Sequence, residues 1–564
     1  MKSPFHHDAE QGPNAPSPAN ATRREALLAG LASAGAMTLP PAQARAADGP
    51  TVGVPDRWRR GVEGQRQPDL GDGTFLNPVL AGDRPDPNVL KDGDDYYATF
   101  SSFDYYPGIP IWHSRDLVNW TPLTSALTRN IGTVWALDIA KHDDRFFIYI
   151  PVLDPADEGR PLKTYVIHAD SMAGPWSDPV DMRIDGHIDP GHAVGEDGHR
   201  YLFFNGGSMV RISDDGLSAA GKPEHVYGGW PIPEDWVIEG FALEGPKVLR
   251  RDGWFYLFSG QGGTAGPPTS HMVIVARSRS IHGPWENCPH NAIVRTASRA
   301  EPWWSRGHAT PIQGPSGNWW LIYHGYENGM RTLGRQMLLE PIEWMPDGWP
   351  RAVGGDLAKP LAKPVREAAG PHGLKLSGFS PGDLGRKFSF YAPRVGYQGR
   401  LHLADGVLAL AGQGTGPADS SPLLFVAGDR SYEVTVNVEI SGGAEGGLLL
   451  FYDDKLFGGL GVSEGRLRAY RIGKEERWPP GAPVSARRML MRVRNSENVA
   501  TFLYSLDGKT WTKERSIEVA GYNHNVADGF LSLRPGLYAS GVGNVVFRDL
   551  AYRAISPDDG ILRR

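Results

Sequence analysis

One pattern constrains this chain more than any other: a turn followed by an aromatic, strand-forming run occurs five times, as KDGDDYYATF, HDDRFFIYI, EDGHRYLFF, RDGWFYLFS and PSGNWWLIYHG. The turn positions Gly93, Asp144, Gly198, Gly253 and Gly317 are 51, 54, 55 and 64 residues apart. Acidic-Gly or Ser-Gly turns between extended runs mark hairpins, and a period of roughly 50 residues is the length of a four-stranded propeller blade. Five units predict an all-β domain, a five-bladed β-propeller. A second element, HSRDLVNW, ADSMAGPW and ARSRSIHGPW, follows three of the runs and ends on Trp120, Trp176 and Trp285. These tryptophans are expected to pack between neighbouring blades rather than to bind ligand.

What precedes each turn carries the chemistry. The segments RPDPNVL, WALDIAK, HIDPGHAV, ALEGPKVL and RGHATPI place Asp86 seven residues before its turn, Asp138 six, and Asp189, Glu244 and His308 nine. The innermost strand of a propeller blade starts near the central axis, so five blades should bring these five side chains to one mouth of the channel. Pro85 and Pro87 restrict the backbone on both sides of Asp86 and would aim its carboxylate. Carboxylates gathered out of water cannot all keep their solution pKa; one is pushed up while another stays ionised. Cleavage of a glycosidic bond uses that split, since a protonated carboxyl group serves the leaving oxygen and an ionised one activates water. Each residue alone has a plainer reading, as a turn aspartate, a loop-ending glutamate or a structural histidine; their shared place in the repeat favours the chemical one.

A length of 564 residues exceeds what one core usually supports, so a second domain is expected. The formal charge of -6 leaves no basic excess for nucleic acid. A single cysteine, Cys288, cannot form an intrachain disulfide, and no Cys/His spacing suggests zinc. Near the start, Arg23-Arg24 precedes a moderately apolar stretch and small-residue cleavage sites around Ala44 or Ala46. This resembles a twin-arginine export signal and implies a periplasmic or secreted protein; beyond it no apolar run approaches the roughly 20 residues of a membrane-spanning helix.

The segments NPVLAGDRPDPNVL, WALDIAKHDDRFF, LEGPKVLRRDGWFYLFSGQGGT, RGHATPIQGPSGNWWLIYHG and LGRQMLLEPIEWMPDGWP closely resemble glycoside hydrolase family 43, five-bladed propellers that include β-xylosidases and α-L-arabinofuranosidases. Carried over by motif, the resemblance implies Asp86 as general base, Asp138 as the carboxylate that orients and tunes the acid, and Glu244 as general acid of an inverting reaction. It implies that Arg335 and Phe103 bind substrate, with Trp135 a weaker candidate. His308 becomes the axial histidine of the fifth blade, near substrate and near a channel cation. Calcium is then a possible structural ion, with no cofactor required by the chemistry. Two departures stand out: Leu137 replaces a proline, loosening the backbone before Asp138, and Gln261 stands where relatives often carry an acid. Asp189 has no catalytic role in the family and is expected to hydrogen-bond within the channel.

After a Pro/Gly-rich linker, alternation in YEVTVNVEI puts Tyr432, Val434, Val436, Val438 and Ile440 on one strand face. Similar runs follow, so about 380–556 reads as an antiparallel, lectin-like β-sandwich behind an export segment (1–46), an N-terminal extension (47–75), the propeller (76–360) and the linker (361–379). The expected activity is exo-cleavage of a pentose, β-D-xylose or α-L-arabinofuranose, from an oligo- or polysaccharide. The alternatives are a galactan or other unusual glycan as substrate, or a carbohydrate-binding propeller without chemistry. Oligomeric state is not legible.

Overall fold

The computed structural model describes residues 58–366, 370–478 and 482–555. The expected export segment, with Arg23-Arg24, lies outside the described residues, as does the extension up to residue 57. Among the described residues no helix is long and apolar enough to cross a membrane.

All five sequence repeats are blades. Each turn joins the inner strand of an antiparallel sheet to its second strand. The inner strands are Asn88–Asp92, Asp138–His142, Gly191–Val194, Glu244–Arg251 and Trp303–Gln313. Within every blade the chain runs outwards, strand by strand, and each inner strand neighbours the next around the ring, the fifth returning to the first. Aromatic and β-branched residues on both sheet faces therefore meet the adjoining blade. Separate apolar clusters fill the seams: Trp120 packs with Trp320, Ile322 and Met337 between blades one and five, and Phe203 with Ile274 and Leu243 between blades three and four. Trp120 is fully buried and its Nε1–H donates to the Leu117 carbonyl at 2.8 Å. Trp176 and Trp285 are half-buried against neighbouring clusters, and Cys288 is a buried free thiol in the seam of blades four and five.

A clasp just before blade one fastens the two ends of the ring. Thr74–Phe75 pairs with Leu361–Ala362, and the Val79 N–H donates to the Met337 carbonyl of blade five at 3.0 Å. Asn77 completes the clasp with its side chain, donating to the Leu339 carbonyl at 3.0 Å and accepting from the Leu339 N–H at 2.8 Å.

The C-terminal part is a sandwich of a seven-stranded and an eight-stranded antiparallel sheet. In the strand Ser431–Ile440 the five alternating residues are all buried, Val434, Val436 and Val438 completely. The eight-stranded sheet is not confined to the C-terminal part, because its last strand is Tyr105–Tyr106 of blade one, paired with Ser389–Tyr391. One apolar cluster accordingly runs from Ile148 of blade two through Tyr106 to Phe390 and Leu448 of the sandwich. Ion pairs also cross the seam, Arg430 with Glu327 at 2.6 Å and the buried Arg534 with Asp83 at 3.0 Å, and Arg66 of the segment before the propeller joins Glu327 at 2.9 Å.

Substituting Asn77→Ala should orphan both backbone groups of Leu339. Loss of two buried hydrogen bonds is expected to cost about 2–4 kcal/mol, read as a lower midpoint of unfolding in calorimetry.

Candidate active site

A backbone device repeated in three blades starts the site. Asp86, Asp189 and His308 have φ of 55°, 57° and 58°, a left-handed conformation unusual outside glycine. In blade four the same conformation falls on Gly245, φ 57°, one residue after Glu244. Proline follows at Pro87, Pro190 and Pro246. The prolines therefore act together with a local reversal of the chain, which asparagine and aspartate tolerate better than bulkier residues. Gly245 has a further reason to lack a side chain, since a Cβ there would lie 2.8 Å from Nε2 of His308.

Asp86 is held from blade one and from blade five. Its Oδ1 accepts from Arg335 Nη1 at 2.6 Å and its Oδ2 from the Ser101 hydroxyl at 2.5 Å. His308 Nδ1 stands 3.5 Å and His324 Nδ1 3.3 Å from Oδ1. Burial alone would raise the Asp86 pKa, but the Arg335 guanidinium outweighs it and holds the carboxyl well below the usual range. The Asp86 N–H donates to His324 Nδ1 at 3.0 Å, so the neutral His324 ring carries its proton on Nε2 and donates to Thr264 Oγ1 at 3.0 Å.

Glu244 has the opposite setting. Burial, then the negative charges of Asp189 and Asp86, push its pKa well above the ordinary value. Its side chain keeps 22% exposure against 8% for Asp86 and 7% for Asp138, so solvent or a ligand reaches the group that holds a proton. Asp189 is buried in the channel beside it, with Oδ2 accepting from the Gly245 N–H at 3.0 Å. Burial and the Asp86 charge raise the Asp189 pKa to about 7.

Asp138 accepts from Asn88 Nδ2, Lys247 Nζ and the His192 N–H, each at 2.7 Å. Its link to Glu244 runs through Lys247, three residues along the same inner strand. Leu137 does not loosen this place: it is buried, and Asn88 also donates to its carbonyl at 3.1 Å. Gln261, the other departure, is buried and pins Trp230, accepting from its N–H at 3.2 Å and donating to its carbonyl at 2.8 Å.

Aromatic rings surround Arg335. Its guanidinium lies 5.7 Å from the Phe103 ring and 5.5 Å from that of Phe530, which comes from the sandwich. Trp135 bridges the two, edge-to-face with Phe103 at 6.2 Å and with Phe530 at 5.9 Å. Asn523 caps the short helix His524–Ala527 by accepting from the Asn525 N–H, and the following loop stacks Phe530 on His524 at 3.8 Å.

His308 sits beside Glu244 and His271, whose potential ligand atoms all lie within 4.8 Å of one another. His271 is fully buried with both ring nitrogens unpartnered, and its Nε2 is 3.5 Å from Glu244 Oε1. One carboxylate and two imidazoles do not fit calcium, which takes about six to eight oxygens. Sequence reading missed His271, His324, Ser101, Thr264 and Phe530. Only His324 carried a signal, since it closes the fifth repeat within WWLIYHG.

Residues 75–350 match the family described as glycosyl hydrolases family 43. The chain is 32% identical over 322 residues to a xylan 1,3-beta-xylosidase of Vibrio sp, covering 50% of this chain and 58% of the relative. It is 32% identical over 307 residues to the non-reducing end alpha-L-arabinofuranosidase BoGH43B of Bacteroides ovatus, covering 51% and 55%. A putative beta-xylosidase of Xylanibacter ruminicola is matched at 30% identity over 480 residues, 78% of this chain and 82% of that one. The chain thus spans little more than half the length of the first two relatives and most of the third. The crystal structure of the BlXynB protein from Bacillus licheniformis superposes with a TM-score of 0.76 over 86% of this chain and all of that one, at 24% identity, and so shares the fold.

Asp189 gives a test of the site's electrostatics. Its pKa is raised on folding, so its stabilising contribution is complete below the ordinary carboxylate range and is lost as pH climbs through about 7. Asp189→Asn keeps an acceptor for Gly245 and removes the charge. The variant should melt with wild type near pH 3 and a few degrees above it at pH 8, with an intermediate gap at pH 5, as calorimetry at the three pH values will show.

Proposed function

The chain belongs to glycosyl hydrolases family 43, and from that premise we propose that it is an inverting exo-glycosidase that releases a pentose, β-D-xylose or α-L-arabinofuranose, from oligo- or polysaccharides. The observation that carries this reading is the opposed setting of two carboxyl groups in one mouth of the propeller: Asp86 is paired with Arg335 at 2.6 Å, which favours its ionised form, while Glu244 has no cationic partner and burial with the nearby acids pushes its pKa up. Both pentoses enter because the relatives are named as xylosidases and as an arabinofuranosidase.

In the proposed reaction the Glu244 carboxyl gives its proton to the glycosidic oxygen as the bond from that oxygen to the anomeric carbon breaks. A water on the opposite face forms the new bond to the anomeric carbon and yields a proton to Asp86, so the product sugar has inverted configuration. Release of the Asp86 proton to solvent and uptake of one by Glu244 restore the starting state. Arg335 has two tasks: Nη1 fixes Asp86, while its guanidinium, beside the Phe103 and Phe530 rings, meets a substrate hydroxyl. The rings of Phe103, Trp135 and Phe530 form the apolar wall for one terminal sugar. Asp138, through Lys247, holds the strand that presents Glu244, while burial and the neighbouring Asp189 and Asp86 charges supply its raised pKa. The paired Arg23-Arg24 and the small residues after it support export to the periplasm or medium.

Glu244→Gln and Asp86→Asn should each lower turnover of natural pentose oligosaccharides by about 10²–10⁴-fold. On nitrophenyl pentosides, whose leaving group needs little protonation, Glu244→Gln should lose much less than Asp86→Asn. Unchanged turnover in either variant on oligosaccharide refutes the assignment, and NMR of the first-formed anomer reports inversion. For wild type, kcat/KM should fall as pH rises through the elevated Glu244 pKa, whereas loss on the acid side should begin only below the ordinary carboxylate range, where Asp86 finally gains a proton.

A further inference from the structure

One side chain of the mouth has no task in the reaction described above. His271 is fully buried, and neither of its ring nitrogens has a hydrogen-bond partner. A buried imidazole left unpaired costs free energy, so its placement calls for a reason. Its Nε2 lies 3.5 Å from Oε1 of Glu244.

Two glycines cut the slot in which the ring lies. Glu244 pairs directly with Gly260 across the inner hairpin of blade four, and a Cβ on Gly260 would lie 2.9 Å from Cε1 of His271. A Cβ on Gly307 of blade five would lie 1.9 Å from Cδ2 of the same ring. A side chain at either place would push the imidazole out of its slot beside Glu244. The face of the ring is fixed as well: it stacks on His324, with centroids 5.3 Å apart and planes 14° from parallel. His324 is itself held by the Asp86 N–H and by Thr264. Burial, with His324 and His308 close by, keeps the His271 ring neutral. Glu244 lacks anchors of its own: Asp86 and Asp138 each accept at least two hydrogen bonds, whereas among the described residues none reaches the Glu244 carboxyl.

We propose that His271 is a positioning residue for the acid: its Nε2–H donates to Oε1 of Glu244, so that the carboxyl proton sits on Oε2, the oxygen left to face the leaving group. The inference rests on the reading of Glu244 as general acid. A neutral ring has one N–H; on Nδ1 it would be a buried donor without an acceptor, and on Nε2 it meets one. A small rotation of the partly exposed Glu244 side chain closes the gap once substrate fills the mouth, since catalytic hydrogen bonds often tighten only in the complex. The bond strengthens after the proton has left, when Oε1 belongs to a carboxylate, and so favours the charge that forms as the glycosidic bond breaks. With no exposed surface, His271 does not touch the sugar. Its loss should therefore appear in kcat rather than in KM.

The test is steady-state kinetics of the full chain on two substrates with one sugar. Xylobiose has a leaving group that needs a proton and dinitrophenyl β-D-xyloside one that does not; the α-L-arabinofuranosyl pair replaces them if wild type prefers it. His271→Leu should lower kcat on the disaccharide about 10–100-fold with KM within about twofold, and lower kcat on the dinitrophenyl glycoside less than about threefold. His271→Gln, whose amide N–H reaches towards Oε1, should restore most of the disaccharide turnover. His271→Asn, one carbon shorter, should not, and it stands in for the leucine variant if that one fails to fold. Equal loss on both substrates, unchanged kcat on the disaccharide, or a glutamine variant no better than the asparagine one would overturn the proposal. Glu244→Gln on the same pair separates the two claims. Equal loss there refutes the acid itself, whereas a selective loss there without one in the His271 variants refutes only the role of His271.

Discussion

The contact between Asp86 and Arg335, 2.6 Å long and almost wholly removed from water, is the constraint around which the molecule is arranged. It joins the first blade to the fifth, across the seam where the ring closes. A buried ion pair is a poor source of stability, because removing two charges from water costs several kcal/mol per ion. Its value here is electrostatic: it keeps one carboxylate charged in a place where burial would otherwise neutralise it. Everything near it serves that end. Ser101 satisfies the second oxygen, His324 receives the Asp86 N–H, and Asp83 accepts from the Arg335 N–H at 3.3 Å while holding Arg534 of the sandwich.

The charge fixed on Asp86 then sets the state of its neighbours. It adds to burial in raising both Asp189 and Glu244, while both histidines near it stay neutral because burial lowers them further than the carboxylate raises them. A proton donor and a proton acceptor are thus produced from the same functional group, a carboxyl, chiefly by position. The carboxylate that does most to raise Glu244, after burial itself, is Asp189, which the family pattern leaves without a catalytic task; Asp138 spends its charge on Asn88, Lys247 and a backbone N–H.

Much of this was legible in the chain. The blades announce themselves because a hairpin turn and an aromatic second strand must recur in each, and the functional carboxylates share a place in that recurrence because each lies at or just before the start of an inner strand, while His308 falls at the register shifts midway along Trp303–Gln313. What escaped was whatever has no period. His271 lies just before a third strand, Thr264 in a loop, and Phe530 in a sandwich loop more than 400 residues from Asp86; their meeting depends on how blades and sandwich abut, which no local pattern records. The left-handed backbone at Asp86, Asp189 and His308 was hidden too, since prolines beside an aspartate suggest rigidity but not its sign. Leu137 misled for a related reason, as the side chain of Asn88 from the next blade does the fixing that a proline would otherwise do.

The tyrosine pair Tyr105–Tyr106 has an evolutionary corollary. A sheet whose terminal strand is donated by its neighbour is not a cassette: a recombination event that carried the C-terminal half to a foreign ring would leave Ser389–Tyr391 with an open edge and no donor. The two halves should consequently have been inherited together, and divergence at either Tyr105 or Tyr391, which face each other across the pairing, should be answered by a change in the other.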